Sequence, residues 1–191
     1  MNIAFLGPSE SPLIGWLRAF GENVTVTMEP IDNTFLDAHL PEFIVSYGYR
    51  HILRKEILTR YTDRAINLHI SYLPWNKGAH PNFWSFIEKT PKGVTIHYMD
   101  KGIDTGDIIV QKETVFNRNE ILTLKTTQDK LHEDIRALFK ENWINIRNGK
   151  CNRTKQNSNG TFHKAKDLEK YSNTLIDGWN TPISVISIFS V

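Results

Sequence analysis

A cadence of short apolar runs, each giving way to an amphipathic stretch of helical period, is what most constrains the fold of this chain. Ile3 to Leu6 is a compact apolar run that ends in Gly7-Pro8-Ser9. Pro12 to Phe20 then places Leu13, Trp16, Leu17 and Phe20 at helical spacing, with Ser11 as the N-cap and Pro12 in the first turn. Val24 to Met28, Phe43 to Ser46 and Ile66 to His69 follow as strands, and Ile52 to Tyr61 as a short helix with Leu53, Ile57 and Leu58 turned inward. Strand and helix in this alternation specify a mostly parallel sheet with helices on its faces.

The rest of the chain extends that unit. Pro81 to Glu88 begins with proline in its first turn and reads as a helix. Val94 to Met99 and Ile108 to Val115 are β-rich, and the polar segment between them, Asp100 to Asp107, is a loop. Leu124, Leu131, Ile135, Leu138 and Trp143 then mark a long amphipathic helix that Gly149 stops. Asn152 to Gly160, rich in Asn, Ser and Gly, is expected to be a flexible loop, and the apolar end from Pro182 to Val191 either pairs across a homodimer or closes the sheet. Without an internal repeat, the expected architecture is α/β: one doubly wound, Rossmann-like domain over residues 1–191. Its sheet is mixed but mostly parallel, its N-terminal half is shortened, and a C-terminal extension starts near Cys151.

Composition closes off several classes. At 191 residues the chain can bury a core without staples. A net charge of +2, with both signs well represented, offers no uniform face for nucleic acid. The single cysteine, Cys151, excludes an intrachain disulfide and any cysteine-based zinc site, and suits a reducing compartment. Met1 to Gly7 is too short an apolar run for a signal peptide, and no segment approaches the ~18–20 apolar residues of a membrane span. A cytoplasmic location, without membrane or nucleic-acid partners, is the expectation.

Chemistry concentrates at one strand end. Asn67 and His69 lie two residues apart, where the apolar run Ala65 to Leu68 gives way to a Pro/Gly loop, and residues so spaced on an extended backbone share a face. Open α/β sheets place ligands at such carboxyl ends. A carboxylate from the later loop, Asp104, would complete a set of amide, imidazole and acid suited to acyl transfer. Alone, Asn67 is more simply a strand-end cap and His69 a satisfied structural histidine. Asp100 and Asp107 lack the rhythm of a calcium loop and read as solvated acids; His80 and His97 fit no zinc spacing, and His97 is a structural or pocket-wall residue. No metal is expected. Phe83 and Trp84 are assigned to the core, whereas Trp75 is the more exposed aromatic.

Three strings in order carry a resemblance: Asn67-x-His69-x-Ser71-x-Leu73-Pro74 with Lys77-Gly78-Ala79, Gly93-Val94-Thr95-Ile96-His97, and Asp104-Thr105-Gly106-Asp107-Ile108-Ile109. Together they resemble the folate-dependent formyltransferases, which include glycinamide ribonucleotide transformylase, methionyl-tRNA formyltransferase and the nucleotide-sugar N-formyltransferases. The resemblance implies 10-formyltetrahydrofolate as donor, an amine as acceptor, and Asn67, His69 and Asp104 as the catalytic trio, with Asp104 raising the pKa of His69. It further implies a pterin pocket along Ser46, Tyr47, Gly48, Tyr49 and Arg50, faced by Gly102, Ile103 and Thr105. The acceptor would lie near Ser71, Trp75, Lys77 and Gly78. Pro8, Glu10 and Pro12 are poor material for a phosphate-binding helix start, which disfavours glycinamide ribonucleotide. An end at Val191 leaves no platform for tRNA. The implied reading is therefore formyl transfer to a nucleotide-linked deoxyamino sugar of bacterial surface polysaccharide. Another small amine acceptor, or a non-catalytic folate- or nucleotide-binding domain, remains the alternative.

Overall fold

The computed structural model describes residues 1–117, 121–157 and 159–187. Its first part is β1 (Asn2–Leu6), α1 (Pro12–Ala19), β2 (Asn23–Thr27), α2 (Asn33–His39), β3 (Phe43–Ser46), α3 (Lys55–Arg60) and β4 (Ala65–His69). There follow β5 (Lys77–Gly78), α4 (Pro81–Ile87), β6 (Gly93–Tyr98), β7 (Ile108–Glu113), α5 (Leu124–Arg147), β8 (Phe162–His163) and α6 (Ile183–Ser187). Six strands form one sheet in the order β2-β1-β3-β4-β6-β7. The pairs from β2 to β4 are parallel; β6 runs antiparallel to β4, and β7 antiparallel to β6. All three βα crossovers before β4 are present in the N-terminal half.

The sheet is buried on both faces. Ile3, Phe5, Phe43, Val45, Ile66, Leu68, Val94 and Ile96 point to one side, where Leu13 and Leu17 of α1 and Leu131, Ile135, Phe139 and Trp143 of α5 cover them. On the other side Ala4, Leu6, Ile44 and Ala65 meet Leu36 of α2 and Ile57 of α3. This second apolar face stops at Ala65, so the next residues of β4 that point the same way are Asn67 and His69. A separate cluster joins Phe83, Trp84 and Ile87 of α4 to Leu124 and Ile186.

Helix ends follow local chemistry. Thr123 opens α5 with a capping box to Thr126, and Gly149, at φ +65°, lies just past its last residue in the left-handed region that glycine favours. Ser11 occupies the N-cap position of α1, but its hydroxyl makes no capping bond. The expected helix from Ile52 is confined to Lys55–Arg60, and Ile52 itself is 74% exposed. Helix α2 was not anticipated; its signal is Asp32, whose side chain accepts from the Phe35 amide at 2.9 Å.

Two expectations for the C-terminal part are corrected. Residues 152–160 (158 lies outside the described residues) are tied down rather than loose. Thr154 bridges to Ile108, and Arg153 pairs with Asp63 at 2.7 Å and Asp107 at 3.0 Å. Polar composition speaks for solvation only when no distant polar partner exists, and here several do. Residues 183–187 form a helix instead of a sheet-closing strand, because Ile186 finds a buried place against α4 that outweighs β-branched preference. Residues 188–191 of that stretch lie outside the described residues. The two-stranded pairing of β5 with β8 was also not foreseen.

Phe139 is fully buried, with its ring 6.0 Å from that of Trp16 and 5.1 Å from that of Trp143. Phe139→Ala should destabilise the fold by about 3–5 kcal/mol in urea unfolding. A change below about 1 kcal/mol would show that α5 does not pack on the sheet as described.

Candidate active site

The antiparallel register of β4 and β6 sets Asn67 opposite His97 and His69 opposite Thr95. All four side chains share the face left open beyond Ala65. Asp104 is brought to them by the 100–107 loop, its backbone held at φ +54°. One carboxylate oxygen, Oδ1, accepts from Asn67 Nδ2 at 3.0 Å and lies 3.4 Å from His97 Nε2. The other, Oδ2, accepts from the Gly78 amide at 2.8 Å and lies 3.6 Å from His69 Nδ1. Four groups from three segments thus converge on one acid whose side chain is only 10% exposed. Gly78 can turn its amide inward because it takes φ +85° where a Cβ would come within 2.3 Å of the His163 carbonyl.

The two histidines are held differently. His97 Nδ1 lies 2.8 Å from its neighbour's carbonyl, Tyr98 O, which assigns the proton there. Nε2 faces both Asn67 Nδ2 at 3.3 Å and Asp104 Oδ1 at 3.4 Å. The amide nitrogen of Asn67 therefore serves both Asp104 and His97. Around His69, Nδ1 faces Asp104 and Nε2 faces the Asn76 carbonyl at 3.2 Å. Two acceptors flank the ring, while a neutral imidazole has one N–H to offer, so the site is shaped to receive a second proton.

Charge balance follows from burial and pairing. Burial pulls the His69 pKa below its ordinary value; Asp104 opposes this by raising it, His97 adds to the lowering, and the Asn76 carbonyl raises it. The expected effect of Asp104 on His69 is present, but the net upward shift is not: desolvation wins. Burial also favours the protonated form of Asp104. His69, His97 and the Gly78 amide outweigh it and hold the carboxyl well below the usual carboxylate range. At neutral pH the site rests as a carboxylate beside a neutral imidazole.

The remaining expected residues divide. Ser46 is buried and in register with Asn67 on the adjacent strand. Tyr47 turns to the opposite face, its hydroxyl 2.7 Å from His132 Nδ1. Tyr49 donates to the Glu29 carbonyl, and among the described residues the amides of Gly48, Tyr49 and Arg50 take no partner. Gly102 and Thr105 both hydrogen-bond Asp100, and Ile103 stands 41% exposed between them. Asp100 and Asp107 are thus loop-forming and ion-paired rather than merely solvated. Ser71 is not presented to the site: it is buried, and its hydroxyl donates to the Trp75 carbonyl within the turn. Gly78 supports Asp104, and Trp75 and Lys77 are half-buried. Phe83 and Trp84 are core, as expected.

Sequence reasoning missed the part played by His97. The alternation of Gly93, Thr95 and His97 marks a common face, but the register opposite Asn67 is set by tertiary pairing. It also missed Gln156 and Thr161, which carry no local signal. Among the described residues no group of three or more His, Cys, Asp or Glu side chains is arranged to hold a metal ion.

Comparison with known proteins gives a consistent result. A family model described as formyl transferase matches residues 25–142. The formyltransferase PseJ from Anoxybacillus kamchatkensis, solved with UDP-4,6-dideoxy-4-formamido-L-AltNAc and tetrahydrofolate, is 47% identical with a TM-score of 0.93, covering 100% of both chains. A 4-N formyltransferase from Francisella tularensis is 25% identical with a TM-score of 0.75, covering 97% of this chain and 85% of its own. Methionyl-tRNA formyltransferase of Clostridioides difficile (strain 630) is 36% identical over 143 residues, 71% of this chain and 46% of the relative. The chain thus spans less than half the length of that curated relative.

His69 should titrate below 6.5, its ordinary value, in an imidazole NMR titration, and Asp104→Asn should lower it further by removing the charge that favours the proton. Between the lowered pKa and 6.5 the native state binds fewer protons than the unfolded one, so this group makes stability fall as pH drops through that window. A His69 pKa that rises in Asp104→Asn would contradict the assignment.

Proposed function

The chain belongs to the formyl transferase family, and from that premise we propose that it moves a formyl group from 10-formyltetrahydrofolate to the amino group of a nucleotide-linked deoxyamino sugar. The observation that carries the acceptor class is the match over the whole of both chains to PseJ, whose complex holds a UDP-linked formamido sugar beside tetrahydrofolate. The same reading puts the product in bacterial surface polysaccharide and the enzyme in the cytoplasm. Among the described residues no helix is long and apolar enough to cross a membrane.

When bound, 10-formyltetrahydrofolate supplies the formyl carbon and takes up a proton at the nitrogen that the carbon leaves. The unpartnered amides of Gly48, Tyr49 and Arg50, just beyond the row shared by Ser46 and Asn67, suit the edge of a flat heterocycle, with Gly102, Ile103 and Thr105 opposite. Asn67 and His69 stand where negative charge develops on the formyl oxygen. Asn67 keeps its bond to Asp104 and exchanges the longer 3.3 Å contact with His97 for that oxygen. His69, shaped for a second proton, takes one from the attacking amine and delivers it to the departing nitrogen, while Asp104 stabilises the transient imidazolium. Trp75 and Lys77 border the acceptor side.

A panel of nucleotide-linked amino sugars, glycinamide ribonucleotide and methionyl-tRNA, each offered with 10-formyltetrahydrofolate, tests the acceptor class by release of tetrahydrofolate. Release with the sugars is expected; release only with another amine reassigns the acceptor. Asn67→Ala and His69→Ala should each lower kcat by on the order of 10²-fold or more with much smaller changes in KM. A variant that keeps wild-type turnover, where chemistry limits the rate, removes that residue from the trio. EDTA should leave turnover unchanged, because the assigned steps need only hydrogen bonds and proton transfer. Activity lost to EDTA and restored by a divalent ion would overturn that mechanism.

A further inference from the structure

The C-terminal segment after α5 crosses the loops that build the site, and beyond the β5–β8 pairing and the Arg153–Asp107 ion pair two of its side chains hydrogen-bond them. Gln156 directs both hydrogens of its side-chain amide into the acidic loop, to Asp104 O at 2.9 Å and Gly106 O at 2.7 Å. Its orientation is dictated by those two carbonyls, since only the NH₂ end can serve both, and Oε1 is left buried without a partner among the described residues. The loop beneath is tight: a Cβ on Gly106 would lie 1.8 Å from the Tyr98 carbonyl. Thr161 of the same segment accepts from the Asn76 amide at 2.9 Å. Asn76 is fully buried at φ +56°, and its carbonyl faces His69 Nε2. Both acceptors that flank His69 therefore belong to non-glycine residues in the left-handed region, and each is anchored by this segment.

We propose that Gln156 is a positioning residue that locks the Asp104 backbone in its left-handed conformation, so that the sheet and its loops form a working site only with the C-terminal segment laid across them. Gln156 does not touch the reacting atoms. It acts through Asp104, and a misplacement of about 1 Å at a reacting centre can cost on the order of 10²-fold in rate.

The inference rests on the formyl-transfer reading, and its test includes a measurement that needs no turnover. The Gly78 amide, donated to Asp104 Oδ2, reports on the carboxylate's placement through its hydrogen exchange. Gln156→Ala should accelerate that exchange by roughly tenfold or more. The substitution should also lower kcat by roughly 10- to 10²-fold, yet by less than about threefold when made in an Asp104→Asn background. Gln156→Glu, which keeps the size but presents oxygens to both carbonyls, should behave like the alanine variant. Unchanged Gly78 protection in both variants overturns the inference whatever the activity. So does an equal loss of kcat with and without the Asp104 carboxylate. Accelerated exchange in Gln156→Ala, together with a wild-type protein that transfers formyl to no amine, would support the positioning role and overturn the formyl reading instead.

Discussion

Everything at this site hangs on a buried carboxylate that receives four groups. An ionised acid with its side chain 10% exposed is tolerable only when its oxygens are matched by donors. Asn67 and the Gly78 amide donate directly, and the rings of His69 and His97 complete the ring of contacts. Those partners come from β4, β6 and the β5 turn, so satisfying Asp104 fixes the relative placement of three segments. The geometry proposed for catalysis and the local fold are for that reason the same set of bonds, and a change that frees the carboxylate loosens both.

The position of the site follows from where apolar burial ends. On the face covered by α2 and α3 the alternation of β4 runs out of apolar residues after Ala65. Asn67 and His69 then lie at the carboxyl end of a central strand, with Ser46 beside one and His97 opposite. Burial of His69 away from water keeps the imidazole neutral at rest, while Asp104 and the Asn76 carbonyl wait on either side for a second N–H. Desolvation and pairing thus pull in opposite directions on one ring, which suits the proton-carrying role proposed for it.

Much of this was legible in the chain itself. Short apolar runs and helical spacing set out the parallel half of the sheet and the long helix to its glycine stop, because both patterns are local. Asn67 and His69 were legible as a same-face pair, and the three motif strings pointed to the family that the match over residues 25–142 shows. His97 was not, because its place depends on which residue of β4 it faces across an antiparallel pair. Gln156 and Thr161 were hidden in a stretch whose composition spells solvent, since their partners lie about 50 and 85 positions away. The net direction of the His69 shift was also beyond the sequence: the charge of Asp104 could be anticipated, but the depth of burial that outweighs it could not.

The central claim, that the Asp104 charge organises and drives the proton traffic at His69, is tested most directly by kcat measured against pH for Asp104→Asn, with tetrahydrofolate affinity measured separately. The substitution keeps size and removes charge. Turnover should fall by roughly 10²–10⁴-fold across the pH range while folate affinity changes far less. Unchanged turnover at every pH would reduce Asp104 to a loop residue and contradict the account.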